Sequence, residues 1–150
     1  MRDNIETNYL IFISSDGKKA GFEIFKERIE KNKWPIYKTT PQLLNVKEEK
    51  NVIFYIAGTG EKKQCFVGYA KIKKIIERNL TEVDPNQEFR QVLCNVEFKD
   101  FMTFKKEIPI KDHIDNLSFI KNKEKYGLYF QGGVCKINKQ SYDYLIDIQK

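Results

Sequence analysis

Catalytic machinery is what this sequence has least of. It contains one histidine, His113, in IKDHIDNL, with no partner motif around it. GxSxG, P-loop and HExxH patterns are absent, so nothing marks a nucleophile elbow, a phosphate cradle or a helical zinc site. The GTG at 58–60 and the QGG at 131–133 are turn glycines that do not continue into a phosphate cradle. Acidic pairs such as Asp112 and Asp115 have no ligand-specific spacing. The cysteines are three, Cys65, Cys94 and Cys135, far apart and without a CxxC. An odd number so placed argues against a disulfide framework and against a zinc set. No apolar run approaches the roughly 18 residues that a membrane-spanning helix needs, and MRDNIETNYL has no apolar signal region. The expectation is a soluble, cytosolic chain with no membrane partner, no metal and no cofactor. It reads as a binding module rather than an enzyme.

What the chain does have is rings and lysines. Of 150 residues, 11 are Phe and 8 are Tyr, while the single Trp, Trp34, stands directly before a proline in WPIYKTTP. A chain this rich in aromatics is not disordered, and its length suits one domain over residues 1–150 with a sizeable core. The net charge of +6 comes from 27 Lys and Arg against 21 Asp and Glu. That excess fits a polyanionic partner and equally a lysine-rich solvated surface.

The hydrophobic pattern gives an α+β order. NYLIFIS (8–14) reads as a buried strand closed by SSDG. AGFEIFKERIEKNK (20–33) reads as a helix with Phe22, Phe25 and Ile29 on one face and Ser15 or Asp16 as its cap. WPIYKTTP reads as a loop, and PQLLNVKEEK as a short helical turn. Strands are expected at 51–58 and at 64–76, where Gly68 marks a bulge or a close approach. RNLTEVDPNQ is a polar connection. FRQVLCNVEFKDF (89–101) alternates apolar and polar residues as a long strand, and 102–110 follows as an edge strand because of Pro109. DNLSFIKNKEKYG is short helix or irregular chain, LYFQGGVCKI is strand or glycine-broken loop, and 138–150 is a C-terminal helix. Five or six strands and two or three helices fit a small closed or nearly closed barrel with helices packed outside.

Four short segments, taken in order, carry a family resemblance. They are Tyr9 to Ser14, Trp34-Pro35-Ile36, Val52 to Gly60, and Val67-Gly68-Tyr69-Ala70. The arrangement resembles the EVE domain, and more distantly the YTH domain, both of the PUA-like superfamily. The TTP at 39–41 is similar to the YTH loop that follows a cage tryptophan. IDNLSFIKNKEKYGLYFQG (114–132) is similar to a small archaeal and bacterial EVE subgroup. Three departures stand out: Pro35 replaces the usual glycine, Tyr55-Ile56-Ala57 replaces Tyr-His-Ser, and no Arg-Asn-Tyr follows the tryptophan.

The resemblance implies a PUA-like barrel that recognises a modified base, such as a methylated adenine or cytosine, in DNA or RNA. A nuclease or modification enzyme is the protein partner such a reader would serve. The alternative it leaves open is a PUA-like RNA-binding module in tRNA or rRNA metabolism, without a base cage. In the first reading Trp34 is a stacking platform, stiffened by Pro35, which biases it away from helical geometry; otherwise it is a lid on the core. Tyr55 is a second wall or a core ring, and Ser14 bonds the base edge or caps the helix. The backbones of Ile36 and Ala57 flank the base, and Phe119 and Tyr129 are further candidate walls. Lys18, Lys19, Lys33, Lys38, Lys121 and Lys123 form a candidate phosphate-binding rim whose contribution would fall with salt. Stacking is worth about 1–3 kcal/mol per base, whereas one buried methyl adds only about 0.8 kcal/mol. Hydrogen bonds to the base edge must therefore carry much of the discrimination.

Overall fold

The structure, a computed structural model, describes residues 9–77 and 82–150. Asn8 of the first expected strand and residues 78–81 of the expected polar connection lie outside the described residues. The chain runs β1 (Tyr9–Ser14), α1 (Gly21–Lys31), β2 (Trp34–Tyr37), β3 (Asn51–Ile56), β4 (Cys65–Glu77), β5 (Val83–Asp84), β6 (Arg90–Pro109), β7 (Val134–Lys136) and α2 (Lys139–Ile148). Single 3₁₀ turns at 43–45, 110–112, 114–116 and 126–130 join them. The strands form a curled mixed sheet in the order β2-β6-β4-β3-β1-β7, with β5 paired to the start of β6. β1 and β3 are parallel and the other pairs antiparallel. This is the expected α+β class, with the sheet curled into a half-barrel where a closed or nearly closed barrel was expected.

The central strands read as unbroken apolar runs because both of their faces are covered. Leu10 and Phe12 of β1, with Phe54 of β3, point to a cluster that includes Phe25, Trp34 and Phe98. Ile11, Ile13, Ile53 and Tyr55 point the other way, to Phe66, Leu117, Phe130 and Leu145. The sheet therefore has two cores, one under α1 and one under α2 and the C-terminal turns. This parity separates residues that are neighbours in sequence, and it decides which can share a site.

β4 and β6 are long and bent. Their pairing shifts register three times, between Phe66/Gly68, Tyr69/Lys71 and Ile72/Lys74. Each irregularity bends the strand and increases its twist. Gly68 is the close approach foreseen: a Cβ there would lie 2.8 Å from the Met102 carbonyl oxygen. The two strands expected at 89–101 and 102–110 are one strand of 20 residues. The interruption near residue 101 is a bend in the ladder, with Asp100 at φ 57°, and not a turn. The loop expected at WPIY is also a strand. β2 lies at the sheet edge, where Trp34 faces Val96 and Pro35 faces Asn95, and an edge strand tolerates a proline that has no N–H to give.

The first helical N–H of α1, on Gly21, donates to Asp16 Oδ1 at 2.9 Å. The N-cap position itself is Ala20, which makes no side-chain bond, so of the two expected caps Asp16 serves the helix start from a distance. The helix ends at Asn32, in left-handed geometry at φ 50°. Asn32 Nδ2 donates to Phe98 O at 3.1 Å, and Phe98 N donates to Asn32 Oδ1 at 2.7 Å. The buried line of α1 is Ile24, Phe25 and Arg28, with Phe22 and Ile29 only partly covered. The helix has therefore rolled from the face expected. α2 is capped by Asn138, whose side chain accepts from Ser141 N.

Asp16 also holds the β3–β4 turn. Thr59 N donates to its Oδ2 at 2.9 Å and Thr59 Oγ1 at 2.6 Å. The Thr59 hydroxyl bond, followed by the backbone bonds, lowers the Asp16 pKa below its ordinary value. Glu27 on α1 is lowered to about 2, chiefly by the hydrogen bond from Lys19. Both carboxylates bind protons less readily folded than unfolded. Their stabilising contribution is present above the ordinary carboxylate range near pH 4 and is lost as pH falls through the depressed values. The urea midpoint is expected to drop between about pH 4.5 and pH 2, and to drop less in Asp16→Asn. An Asp16→Asn profile parallel to the wild type would remove Asp16 from the account.

Candidate functional site

The clearest concavity lies where the end of β1, strand β2 and the turn before β7 converge. It encloses about 430 Å³ and is lined by Ile13, Ser15, Arg28, Trp34 to Tyr37, Thr39 to Pro41, Gln87, Arg90 and Gln131 to Gly133. That volume is in the range of small-ligand sites, roughly 300–1,000 Å³.

Backbone bonds fix the walls. After β2 the chain reverses sharply, with Thr40 N donating to Tyr37 O at 3.0 Å and Tyr37 N to Thr40 Oγ1 at 2.9 Å. Opposite, Ile13 N donates to Gly133 O at 2.8 Å, which ties the glycine turn to β1. Gly132 packs directly on Pro41: a Cβ would lie 2.2 Å from Pro41 Cγ. Only a residue without a side chain lets the two walls meet. Gly132→Ala is expected to destabilise by about 1–3 kcal/mol through this overlap, read as a lower urea midpoint with an unchanged slope. A midpoint equal to wild type would mean that the walls part freely.

Charge and rings alternate along one side. The Arg28 guanidinium lies 4.9 Å from the Trp34 ring centroid, and that of Arg90 lies 4.5 Å from the Tyr37 ring. Arg28 Nη2 donates to Asp84 Oδ2 at 3.1 Å and to the Tyr37 hydroxyl at 3.4 Å. The Tyr37 hydroxyl in turn donates to Asp84. Burial, with the Asp84 carboxylate beside it, pushes the Tyr37 phenol well up, the Arg28 charge opposing, so it stays a donor at neutral pH. Arg28 is thus neutralised by Asp84 on the inner side of the cavity. Arg90, at the exposed rim, donates to Thr39 Oγ1 at 2.6 Å and has no carboxylate in ion-pair distance among the described residues. Among the described residues the site thus has an ion-paired arginine inside and, at its edge, an arginine without a carboxylate partner.

The expected site residues divide sharply. Trp34 and Ile36 line the cavity. Trp34 is only 2% exposed, however. Phe54, at 5.3 Å and 31°, and the Arg28 guanidinium lie against its ring, with Phe12, Phe25 and Phe98 around it. It offers no open face for stacking. Ser14 is fully buried and donates to Gly21 O at 2.7 Å, pinning the start of α1. Tyr55 lies in the other core, stacked on Phe130 at 4.2 Å. Ala57 is tied to β1, its N donating to Ser14 O. Phe119 sits edge-on to Tyr129 and Phe130, and the Tyr129 hydroxyl accepts from Lys121 N and Asn122 N. Ser14, Tyr55, Ala57, Phe119 and Tyr129 are therefore absent from the cavity wall that Trp34 and Ile36 share. His113 is occupied in the same C-terminal region, its Nδ1 2.7 Å from the Tyr144 hydroxyl.

None of the six lysines lines this cavity. Lys19 pairs with Glu27 at 2.6 Å, Lys33 with Glu82 at 3.6 Å and Lys123 with Asp115 at 3.1 Å. Lys18, Lys38 and Lys121 are exposed. Of these, Lys18 lies in the adjoining depression with Gln87 and Phe89. Arg28, Tyr37, Thr39, Thr40, Arg90 and the 131–133 turn were not among the expected site residues. Arg28 did carry a signal, since it falls four residues after Ile24 and three after Phe25, on the buried line of the helix. Arg90, one polar residue at the start of a strand, carried none.

Comparison with known proteins places this geometry. The EVE domain model matches residues 8–148. Human THYN1, solved in complex with DNA containing 5-methylcytosine, is 15% identical and superposes with a TM-score of 0.61 over 95% of this chain and 97% of that one. Protein PSPTO5229 of Pseudomonas syringae is 13% identical, with a TM-score of 0.62 over 95% and 99%. The N-terminal domain of Staphylothermus marinus McrB is 8% identical, with a TM-score of 0.53 over 93% of each chain. No curated protein matches by sequence. With a family model spanning all but the ends, the chain belongs to the EVE domain family.

Proposed function

We propose that this protein is a non-catalytic module that reads a modified base in nucleic acid, taking the base into the cavity between β2, the 39–41 turn and the 131–133 turn. The observation that carries this reading is the cavity itself: it pairs a ring-and-guanidinium wall with an exposed arginine at its edge that has no carboxylate partner among the described residues. The Thr39 and Thr40 hydroxyls and the flanking backbone are the groups placed to bond a base edge. Tyr37, half-buried beneath the Arg90 guanidinium, replaces Trp34 as the ring nearest the opening. Modified cytosine is the first base to try, because the structurally similar human THYN1 was solved with 5-methylcytosine DNA. A nuclease or modification enzyme would be the partner that acts on what is read.

One observation favours the second reading, an RNA-binding face without a base cage: Trp34 is closed on both sides. Fluorescence anisotropy with labelled strands separates the two. The panel pairs plain DNA and RNA with strands carrying 5-methylcytosine, 5-hydroxymethylcytosine or N6-methyladenine. The cage predicts a preference for one modified strand of about fourfold, since burying one methyl is worth about 0.8 kcal/mol, on top of the stacking and base-edge bonds that both bases share. Arg90→Ala is expected to weaken binding and flatten its salt dependence. Equal affinity for plain and modified strands would sink the cage and leave the uncaged module.

A further inference from the structure

Beside the cavity, the β5–β6 connection combines rigidity, strain and exposure in a way that its fold does not require. Asp84 bonds Asn86 N at 2.9 Å, Asn86 Nδ2 donates to Glu27 at 3.3 Å, and Gln87 Nε2 donates to the Ser15 carbonyl at 3.1 Å. Lys18 N donates to Asn86 O at 2.8 Å. The base of the turn is therefore anchored to β1's end and to α1. Its tip carries Glu88 and Phe89, both at φ 56°, left-handed geometry that bulky side chains rarely adopt. Phe89 is nevertheless 68% exposed. The strained backbone hides no ring in a core; it holds a ring out in water. Arg90, the next residue, and Gln87, two before, line the cavity, and the ring lies in the adjoining depression, which shares Gln87 with it. Lys18 lines the same depression as Phe89.

We infer that Phe89 is a wedge that enters the base stack of a duplex and fills the gap left when a base is drawn into the neighbouring cavity. This rests on the base-reading function proposed above. Extruding a base from a duplex breaks its stacking on both neighbours, and an apolar side chain inserted at the step takes up that stacking surface. A ring held by an anchored turn enters without being ordered first. Arg90, next in the chain, and Lys18, in the same depression as the ring, are the cations placed for the phosphates flanking the opened step.

The role separates duplex from single strand, because a single strand has no stack to refill. The test uses Phe89→Gly, which removes the ring and suits the left-handed backbone, so the fold is kept. Binding is measured to DNA with a central 5-methylcytosine, 5-hydroxymethylcytosine or N6-methyladenine, as duplex and as single strand. A neighbouring 2-aminopurine reports opening of the stack. The expected result is a loss of about tenfold or more on the preferred duplex, with single-strand affinity within about twofold of wild type and no rise in 2-aminopurine fluorescence. Equal loss on both forms, or none on the duplex, would overturn the wedge while leaving the reader intact. Wild-type protein that prefers no modified strand, duplex or single, would overturn the reader and the wedge with it.

Discussion

Trp34→Ala is expected to cost a large part of the protein's stability, not merely to empty its site. The ring lies in the centre of the larger core, in contact with Phe12, Phe25, Phe54 and Phe98. Truncating a buried tryptophan costs about 3–5 kcal/mol. A domain of this size has only about 5–15 kcal/mol in hand. The loss is compounded because Arg28 packs on the same ring and would keep its charge beside a void. Trp34→Phe, which retains an aromatic face, is expected to fold with a reduced midpoint. Urea unfolding and near-ultraviolet circular dichroism of both variants test this, and the wild-type tryptophan should resist acrylamide quenching. A folded Trp34→Ala protein with the wild-type midpoint and no nucleic-acid binding would put the ring at an open site after all. Until then a binding defect in a Trp34 variant says nothing about recognition, and Arg90, exposed at the rim, is the position to substitute.

That distinction shows what the sequence could and could not reveal. β1 and β3 were legible because strands buried on both faces are apolar throughout, and α2 because its pattern and its Asn138 cap agree. β2 was hidden by Pro35, which marks a loop unless the strand lies at an edge. β6 looked like two strands because its bend carries the polar Lys99-Asp100 pair that a turn would also carry. The site was less legible than the fold. Its walls come from five separated stretches, and only two of the expected residues, Trp34 and Ile36, line it. Tyr55 was excluded by one residue of strand parity: Phe54 faces Trp34 and Tyr55 faces Phe130. The TTP at 39–41, noted through resemblance, lies in the cavity wall. Arg90 acquires meaning only through Thr39 and Tyr37, which lie about fifty residues earlier and meet it by tertiary contact alone.

Asp84→Ala is expected to be as damaging as a core truncation. Asp84 is 5% exposed and is the acceptor for Arg28, for the Tyr37 hydroxyl and for Asn86 N. Removing it leaves the Arg28 guanidinium buried without a counter-ion, and breaking a buried pair in this way costs about 3–5 kcal/mol. The pair as a whole contributes far less, because bringing both charges out of water offsets most of their attraction. Arg28→Met combined with Asp84→Leu should therefore recover much of the stability that Asp84→Ala loses. The Asn86 bond would still be missing, so recovery stops short of wild type. Urea midpoints of the single and double variants measure this. A double variant no more stable than Asp84→Ala would mean that the carboxylate matters through Tyr37 and the turn, not through the arginine. In that case the β5–β6 tip should loosen equally in both, and with it the setting of Phe89 and Arg90. If the double variant recovers, its binding becomes informative. The cavity would then have lost its inner charge pair but kept Arg90, and affinity that survives there would assign electrostatic recognition to the rim alone.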